Sequence, residues 1–150
     1  MAVNYTSSGP VGSVAFMVHP TSTQSNLAAT TDVVVVFGTE IYDIGANFAS
    51  NTFTAPVTGK YQLSISLYVY SWDVSCSYVQ CTIISSNRNH YWFIADGDLF
   101  PNSPTYWQMN HSLLVEMDAS DTAYVNVHQS GGGAQMDIST NSDFTGYLAA

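Results

Sequence analysis

The sequence is poor in charge, and poorest in positive charge. Charged residues make up 9% of the 150 residues, only Lys60 and Arg88 are cationic, and the formal net charge is -9. Binding to nucleic acid or to an anionic membrane surface relies on clusters of Lys and Arg, which this chain does not have. We therefore predict no nucleic-acid partner, and we expect a partner that is neutral, cationic or another copy of the chain.

Long apolar segments are missing as well. The longest uninterrupted ones, such as Val33 to Phe37, have five residues, whereas a membrane-spanning helix needs about 20, so no membrane insertion is predicted. The N-terminal segment MAVNYTSSGPVG has neither the basic nor the apolar region of a secretory signal. We interpret residues 1–12 as a linker or anchor segment and residues 13–150 as one domain.

Catalytic motifs are also lacking. The sequence has no G-x-S-x-G nucleophile elbow, and its four histidines have no H-E-x-x-H spacing, so we predict no catalytic residues and no enzyme activity. There are only two cysteines, Cys76 and Cys81. Two buried thiols are the favoured interpretation, and a disulfide stays open because a bend between the two residues could bring the sulfurs together.

The strongest pattern that is present is alternation. From Tyr61 to Val69 every second residue is large and apolar, and the residues between carry hydroxyl, amide or phenol groups. Side chains two apart share one face of a strand, so this segment predicts a long central strand with one core face. The segment Thr31 to Phe37, which holds four consecutive valines, predicts a strand buried on both faces. About ten short strands between Gly, Pro and Asn turns predict an all-β sandwich or jelly roll.

Two further groups of residues are candidate sites. Aromatic side chains stack on the apolar faces of sugars, although such clusters also form cores and interfaces. The candidate ligand-binding residues are His90, Tyr91, Trp92, Tyr106 and Trp107. Asp96 and Asp98 flank a glycine, a pattern compatible with Ca²⁺ where backbone carbonyls or a neighbouring subunit complete the coordination. A solvated acidic turn is the favoured interpretation of the same pattern.

Three segments together resemble the globular domains of the C1q family. They are IYD at 41–43 followed by FTAPVTGKY at 53–61, SLLVEM at 112–117 followed by Asp121 and AYV at 123–125, and the ending DFTGYL at 143–148. Their order and spacing, from Val14 to Leu148, are similar to that family's signature. The chain departs from the family in having no collagen-like repeat and in having Ala55 where a cysteine is usual.

The resemblance implies a ten-stranded, two-sheet jelly roll of the C1q/tumour necrosis factor type, assembled as a homotrimer and without catalytic activity. In that family, the sheet that holds the first, central and last strands faces the three-fold axis. The expected trimer interface is the second face of the central strand, with Gln62, Ser66, Tyr68 and Tyr70. Calcium sites of some members lie in the loop before the strand that begins at Tyr106, which keeps Asp96 and Asp98 as candidates.

The composition, rich in uncharged polar residues, resembles that of C1q-like modules on phage and other viral structural proteins. The leading hypothesis is a trimeric tail-fibre head, exposed on the virion surface, that binds a host-surface receptor, expected to be a glycan. One alternative is a capsid decoration or head-fibre protein that contacts capsid or tail proteins. The other is a secreted recognition domain, which predicts glycans at the sequons of Asn4 or Asn110.

Overall fold

The computed structural model describes residues 14–150, apart from the side chains of residues 92–94, so the predicted segment 1–12 lies outside the described residues. Residues 14–150 contain no helix long and apolar enough to cross a membrane. The elements are β1 (Ala15–His19), β2 (Asp32–Val34), β3 (Thr39–Ile44), β4 (Phe48–Ala49), β5 (Thr52–Thr54), β6 (Gly59–Tyr70), β7 (Tyr78–Ser85), β8 (Asn89–Asp96), the 3-10 helix η1 (Gly97–Leu99), β9 (Tyr106–Met117), β10 (Thr122–Ser130), β11 (Asp137–Ile138) and β12 (Asp143–Leu148).

The strands form two antiparallel sheets of six strands each. The first sheet has the order β3-β1-β12-β6-β9, and β11 pairs with the end of β6. The second has the order β4-β5-β10-β7-β8, and β2 pairs with β10. The first, central and last long strands are therefore neighbours in one sheet, as in a jelly roll. The prediction of an all-β, two-sheet jelly roll is confirmed, with twelve strands within residues 14–150 in place of the expected ten.

The central strand β6 supplies one wall of the core between the sheets. The members of its predicted core face are at most 3% exposed: Tyr61, Leu63, Ile65, Leu67 and Val69. Phe16 of β1 belongs to the same core, with its ring centroid 4.8 Å from that of Phe53 in β5 and 5.0 Å from that of Phe144 in β12. Burial of these apolar side chains is the main favourable contribution to folding.

The valine run is the part of the fold that was predicted wrongly. Val35 is fully buried, but Val34 is 41% exposed and Val36 is 46% exposed. The strand β2 covers only Asp32–Val34 and pairs with β10 alone. Because a short strand in an antiparallel sheet can have solvent on its outer side, alternate valines are left exposed rather than buried on both faces.

Both cysteines are buried and unbonded, which agrees with the favoured interpretation. Burial raises the pKa of the Cys81 thiol to about 12. Burial, followed by the charge of Asp73, also raises the pKa of the Cys76 thiol. A reactive cysteine needs an accessible thiolate, so these two thiols act as small core residues.

Candidate functional site

The outer face of the first sheet is broad and uncharged over much of its area; we call it the first-sheet face. Strand pairing aligns two rows of outward side chains across five strands, and neither row contains a charged residue. In the first row, Ile44, Tyr147 and Leu114 are 47%, 52% and 55% exposed. The first row is Ile44, Ala15, Tyr147, Gln62 and Leu114, and the second is Tyr42, Met17, Thr145, Ser64 and Ser112.

Uncharged polar groups occupy the middle of the first-sheet face and bond to one another across the strands. Gln62 Nε2 donates to Ser112 Oγ at 2.7 Å, and Gln108 Nε2 donates to Ser66 Oγ at the same distance. Gln62 and Ser66, both in the predicted trimer interface, therefore already have partners within the chain. This part of the face is a hydrogen-bonded surface, with Asp143 of β12 at the position that pairs with Ser66.

Three tyrosines close the far end of the first-sheet face. The ring centroids of Tyr68 and Tyr70, the other two predicted interface residues, lie 5.4 Å apart. Tyr106 joins them from β9, with its centroid 5.9 Å from Tyr68 and 5.5 Å from Tyr70. The four residues predicted for the trimer interface thus lie on one face, together with Tyr106, which was predicted as a ligand-binding residue.

The candidate ligand-binding residues do not form one cluster. Trp107 follows Tyr106 in β9 but lies against the end of the core, with its ring centroid 4.6 Å from Phe100 and 6.3 Å from Trp72. The side chain of Trp92 lies outside the described residues. An aromatic platform made of all five predicted residues is therefore not what the strands assemble.

His90 lies in a cleft of about 600 Å³ between the edge strands β8 and β9, which we call the edge cleft. Its Nε2 is 3.4 Å from Ser85 Oγ. Burial, and secondly the charge of Arg88, lowers the pKa of His90. Glu116 and Asp118 line the same cleft together with Arg88, so the edge cleft combines an imidazole with one positive and two negative charges.

His111 of β9 lies next to the edge cleft and is only 6% exposed. Burial, and secondly the neighbouring His90, lowers the pKa of His111 to about 4. The imidazole is therefore neutral at pH 7, and acidification would place a charge between the two sheets. Sequence inspection did not single out His111, because only the packing of the two sheets against each other brings β9 near His90 of β8.

The outer face of the second sheet contains a depression of about 300 Å³, which we call the second-sheet groove. Of the five candidate ligand-binding residues, Tyr91 lines it, because Tyr91 points to the side of β8 opposite His90. Sequence inspection missed the other lining residues, since they come from strands far apart in the chain. The principal ones are Asp32, Tyr78, Gln80, Asn126 and His128.

The candidate calcium residues form a capped turn. Asp96 is the N-cap of η1, and its Oδ1 accepts a hydrogen bond from the Asp98 backbone N–H at 3.0 Å. A Cβ at Gly97 would lie 1.8 Å from the Cys76 carbonyl oxygen, which explains the glycine between the two aspartates. Within residues 14–150, no group of three or more His, Cys, Asp or Glu side chains could hold a metal ion.

Asp73 is a further residue that sequence inspection did not single out. It follows β6, is 8% exposed, and its Oδ2 accepts from the backbone N–H groups of Gly133 at 2.5 Å and Ala134 at 2.8 Å. Its Oδ1 accepts from the backbone and hydroxyl of Ser75. These bonds, that of Ala134 first, lower the pKa of Asp73 to about 2. The glycine run that follows β10 therefore bonds to the carboxylate of Asp73, which follows β6. These bonds connect the ends of the two sheets.

Comparison with known proteins supports this architecture. A family model described as C1q domain matches residues 15–149. The fold is similar to the globular domain of the zebrafish complement 1qA protein, with a TM-score of 0.65 and 16% identity over 92% of this chain and 98% of that one. It is also similar to murine APRIL in a crystal structure at pH 8.0, with a TM-score of 0.61 and 15% identity over 90% of this chain and 97% of that one. No protein of curated function matches the chain in sequence.

Proposed function

The chain belongs to the C1q-domain family, and from this premise we propose that it is a non-enzymatic homotrimer that binds a host-surface receptor from the surface of a virion. Domains of the C1q/tumour necrosis factor type are generally trimeric recognition modules rather than enzymes. The trimer of this particular chain, its place on a virion and its receptor are the specific parts of the proposal.

The exposed, uncharged rows of the first-sheet face are the observation that best supports a trimer. Ile44, Tyr147 and Leu114 lie in one uncharged row and are each about half exposed in the single chain. Exposed apolar patches mark protein contacts, and the cores of interfaces are depleted in charge and enriched in tyrosine. Three copies that turn this face toward a common axis would remove the apolar row and the tyrosine group from water.

The trimer is tested by light scattering on purified protein at micromolar concentration. We expect a mass three times the 16.3 kDa of the chain. A mass of 16.3 kDa across the concentration range would overturn the trimer, since the first-sheet face would then be permanently exposed.

The virion assignment is supported by the composition and by the surface that a trimer would leave open. The chain is rich in uncharged polar residues and poor in cations, and the second-sheet groove lies on the sheet opposite the first-sheet face. That outward surface is available to a receptor, which we expect to be a glycan. Asp32 lines the groove, so a neutral receptor suits it better than an anionic one.

The virion assignment is tested on the particle from which the protein comes. We expect antibodies against the chain to label fibre tips, and excess purified trimer to slow adsorption of the particle to host cells. Uniform labelling of the capsid without competition would favour the decoration protein instead. Absence of the chain from purified particles would overturn the assignment.

The sequon at Asn110 separates this proposal from a secreted domain. Asn110 is exposed on the first-sheet face, where it pairs with Ser66 of β6. A glycan attached there would stand in the proposed interface, so trimer formation through this face requires Asn110 to be unmodified. Mass spectrometry of intact native protein is expected to give the unmodified mass of the chain.

A further inference from the structure

The second-sheet groove is built by two rows of outward side chains that cross the sheet. His128 pairs with Asp32 on one side and with Gln80 on the other. In the next row, Asn126 pairs with Thr82, and Thr82 pairs with Tyr91. The resulting volume of about 300 Å³ lies at the lower end of the roughly 300–1,000 Å³ range of small-molecule sites.

Asn126 is the residue that points to a ligand. It is 8% exposed, it lines the groove, and within the described residues its amide oxygen has no hydrogen-bond partner. A buried polar atom without a partner costs free energy that an apolar residue at the same position would avoid. A donor supplied from the groove by a bound molecule would satisfy it.

Aromatic rings form one wall of the groove. The ring of Tyr78 stacks on the imidazole of His128, with centroids 5.7 Å apart and an interplanar angle of 16°. Tyr91 is 57% exposed, and its hydroxyl accepts a hydrogen bond from Asn89 Nδ2 at 3.1 Å. These rings offer flat faces whose orientation is already held within the chain, as stacking on the C–H face of a sugar requires.

The polar groups of the groove are planar groups that can bond to two neighbouring hydroxyls at once. Asp32 is 66% exposed in its side chain, and one of its oxygens accepts from His128 Nδ1 at 2.8 Å. Gln80 and Asn126 add two amides from adjacent strands. No Lys or Arg lines the groove, so its charge disfavours carboxylated or sulfated ligands and suits neutral ones.

We propose that the second-sheet groove binds one uncharged sugar unit of a glycan, with Asn126 accepting from a sugar hydroxyl and Tyr78 or Tyr91 contacting the ring. This inference rests on the proposed function and gives its receptor a chemical class and a place. The groove is on the sheet opposite the first-sheet face, so each subunit of a trimer would keep its own groove open.

The test uses the full chain on an array of neutral and sialylated oligosaccharides, followed by saturation-transfer NMR with galactose, glucose and N-acetylglucosamine. We expect signals from neutral glycans, and saturation transfer from at least one of the three sugars. Asn126→Leu and Tyr78→Ala should each weaken binding about tenfold or more. Tyr124→Ala, a change on the same side of β10 outside the groove, is the matched control and should bind like the wild type.

The thermal stability of Asn126→Leu separates a ligand-binding role from a structural one. Because the amide oxygen lacks a partner, its replacement should leave Tm unchanged or raise it by roughly 2–4 °C while binding is lost. A large fall in Tm would show that Asn126 holds the sheet together and would overturn its assignment.

Two other results would overturn the inference, and they differ in what they say about the proposed function. If the wild type binds neutral glycans and both groove variants bind equally well, the receptor is a glycan but the groove is the wrong place. If no glycan on the array is bound while the trimer still slows adsorption of the particle to cells, the protein binds a receptor but that receptor is not a neutral sugar.

Discussion

The outer faces of the two sheets have opposite characters. On the first-sheet face, two rows that begin at Ile44 and Tyr42 cross five strands without a charge. On the second sheet, a carboxylate, three amides and aromatic rings line a depression, and the amide oxygen of Asn126 there has no hydrogen-bond partner within the described residues. A broad uncharged face is complementary to another protein surface, whereas a small polar depression is complementary to a small polar ligand.

The same backbone pattern produces both faces. Each sheet has inward side chains that fill one shared core, and outward side chains that alternate with them. The difference therefore lies in the outward residues alone. Single substitutions at outward positions can test each face while the core between the sheets stays unchanged.

A charge placed on the first-sheet face should have the largest effect, which is loss of the trimer. Leu114→Asp puts a carboxylate into the uncharged row, where an unpaired buried charge costs about 3–5 kcal/mol. We expect light scattering to show dissociation to 16.3 kDa monomers. The matched change Tyr124→Asp, on the outer side of the second sheet, should leave the trimer intact. Retention of the trimer by Leu114→Asp would mean that subunits meet through another surface.

The hydrogen bonds of Asp73, which connect the ends of the two sheets, should give the next largest effect, on the free energy of unfolding. Asp73→Asn keeps the shape of the side chain but removes the charge that accepts from Gly133, Ala134 and Ser75. Hydrogen bonds to charged groups contribute about 1.5–3 kcal/mol, so we expect a loss of about 2 kcal/mol in the free energy of unfolding at pH 7. The exposed carboxylate of Asp98 supplies the control, and Asp98→Asn should change stability little.

The pH dependence of that loss follows from the lowered pKa of Asp73. Its contribution is present above the ordinary aspartate value of 3.8 and disappears as the pH falls toward about 2, because the folded carboxylate must then accept a proton. The stability difference between wild type and Asp73→Asn should therefore shrink over this window. A constant difference from pH 7 to pH 2 would argue against the charge as the cause.

The strands could be predicted because each follows a rule that acts within a few residues. Alternation located the core face of β6, and turn residues located the ends of β7 and β9. Burial of the valine run on both faces was predicted wrongly because four consecutive β-branched residues show no alternation. The same pattern fits a strand inside a sheet and a strand as short as β2. The two-residue strands β4 and β11 have too few residues for alternation to appear.

The sites could be predicted only where they follow one strand. Tyr68 and Tyr70 were placed on one face because they are two apart, and Tyr91 lines the second-sheet groove. Asn126 could not be paired with Tyr91 beforehand, since strand order and register bring them together. The join through Asp73 depends likewise on a segment 60 residues further along the chain.

Substitution of His111, at the edge between the two sheets, should have a smaller effect on the free energy of unfolding, and only in mild acid. The pKa of His111 is lowered from 6.5 to about 4, so between these values the unfolded chain binds a proton that the folded chain does not. The free energy of unfolding should therefore fall as the pH decreases from 6.5 to 4. His111→Leu should flatten this part of the curve, and Met109→Leu, on the same inner side of β9, should not. Equal slopes in all three proteins would assign the acid sensitivity elsewhere.

The loop that holds Asp96 and Asp98 should show the smallest effect, because it belongs to neither face. Asp96 already accepts from the Asp98 backbone N–H, and two carboxylates leave most of the 6–8 coordination positions of Ca²⁺ unfilled. Addition of Ca²⁺ to EDTA-treated protein should leave Tm unchanged. A rise in Tm that Asp98→Asn abolishes would instead assign a calcium site to this loop, completed by backbone carbonyls or by a neighbouring subunit. Since the proposed trimer contacts lie on the first-sheet face, Leu114→Asp would then distinguish these two sources: a carbonyl site would survive in the monomer, and a shared site would not.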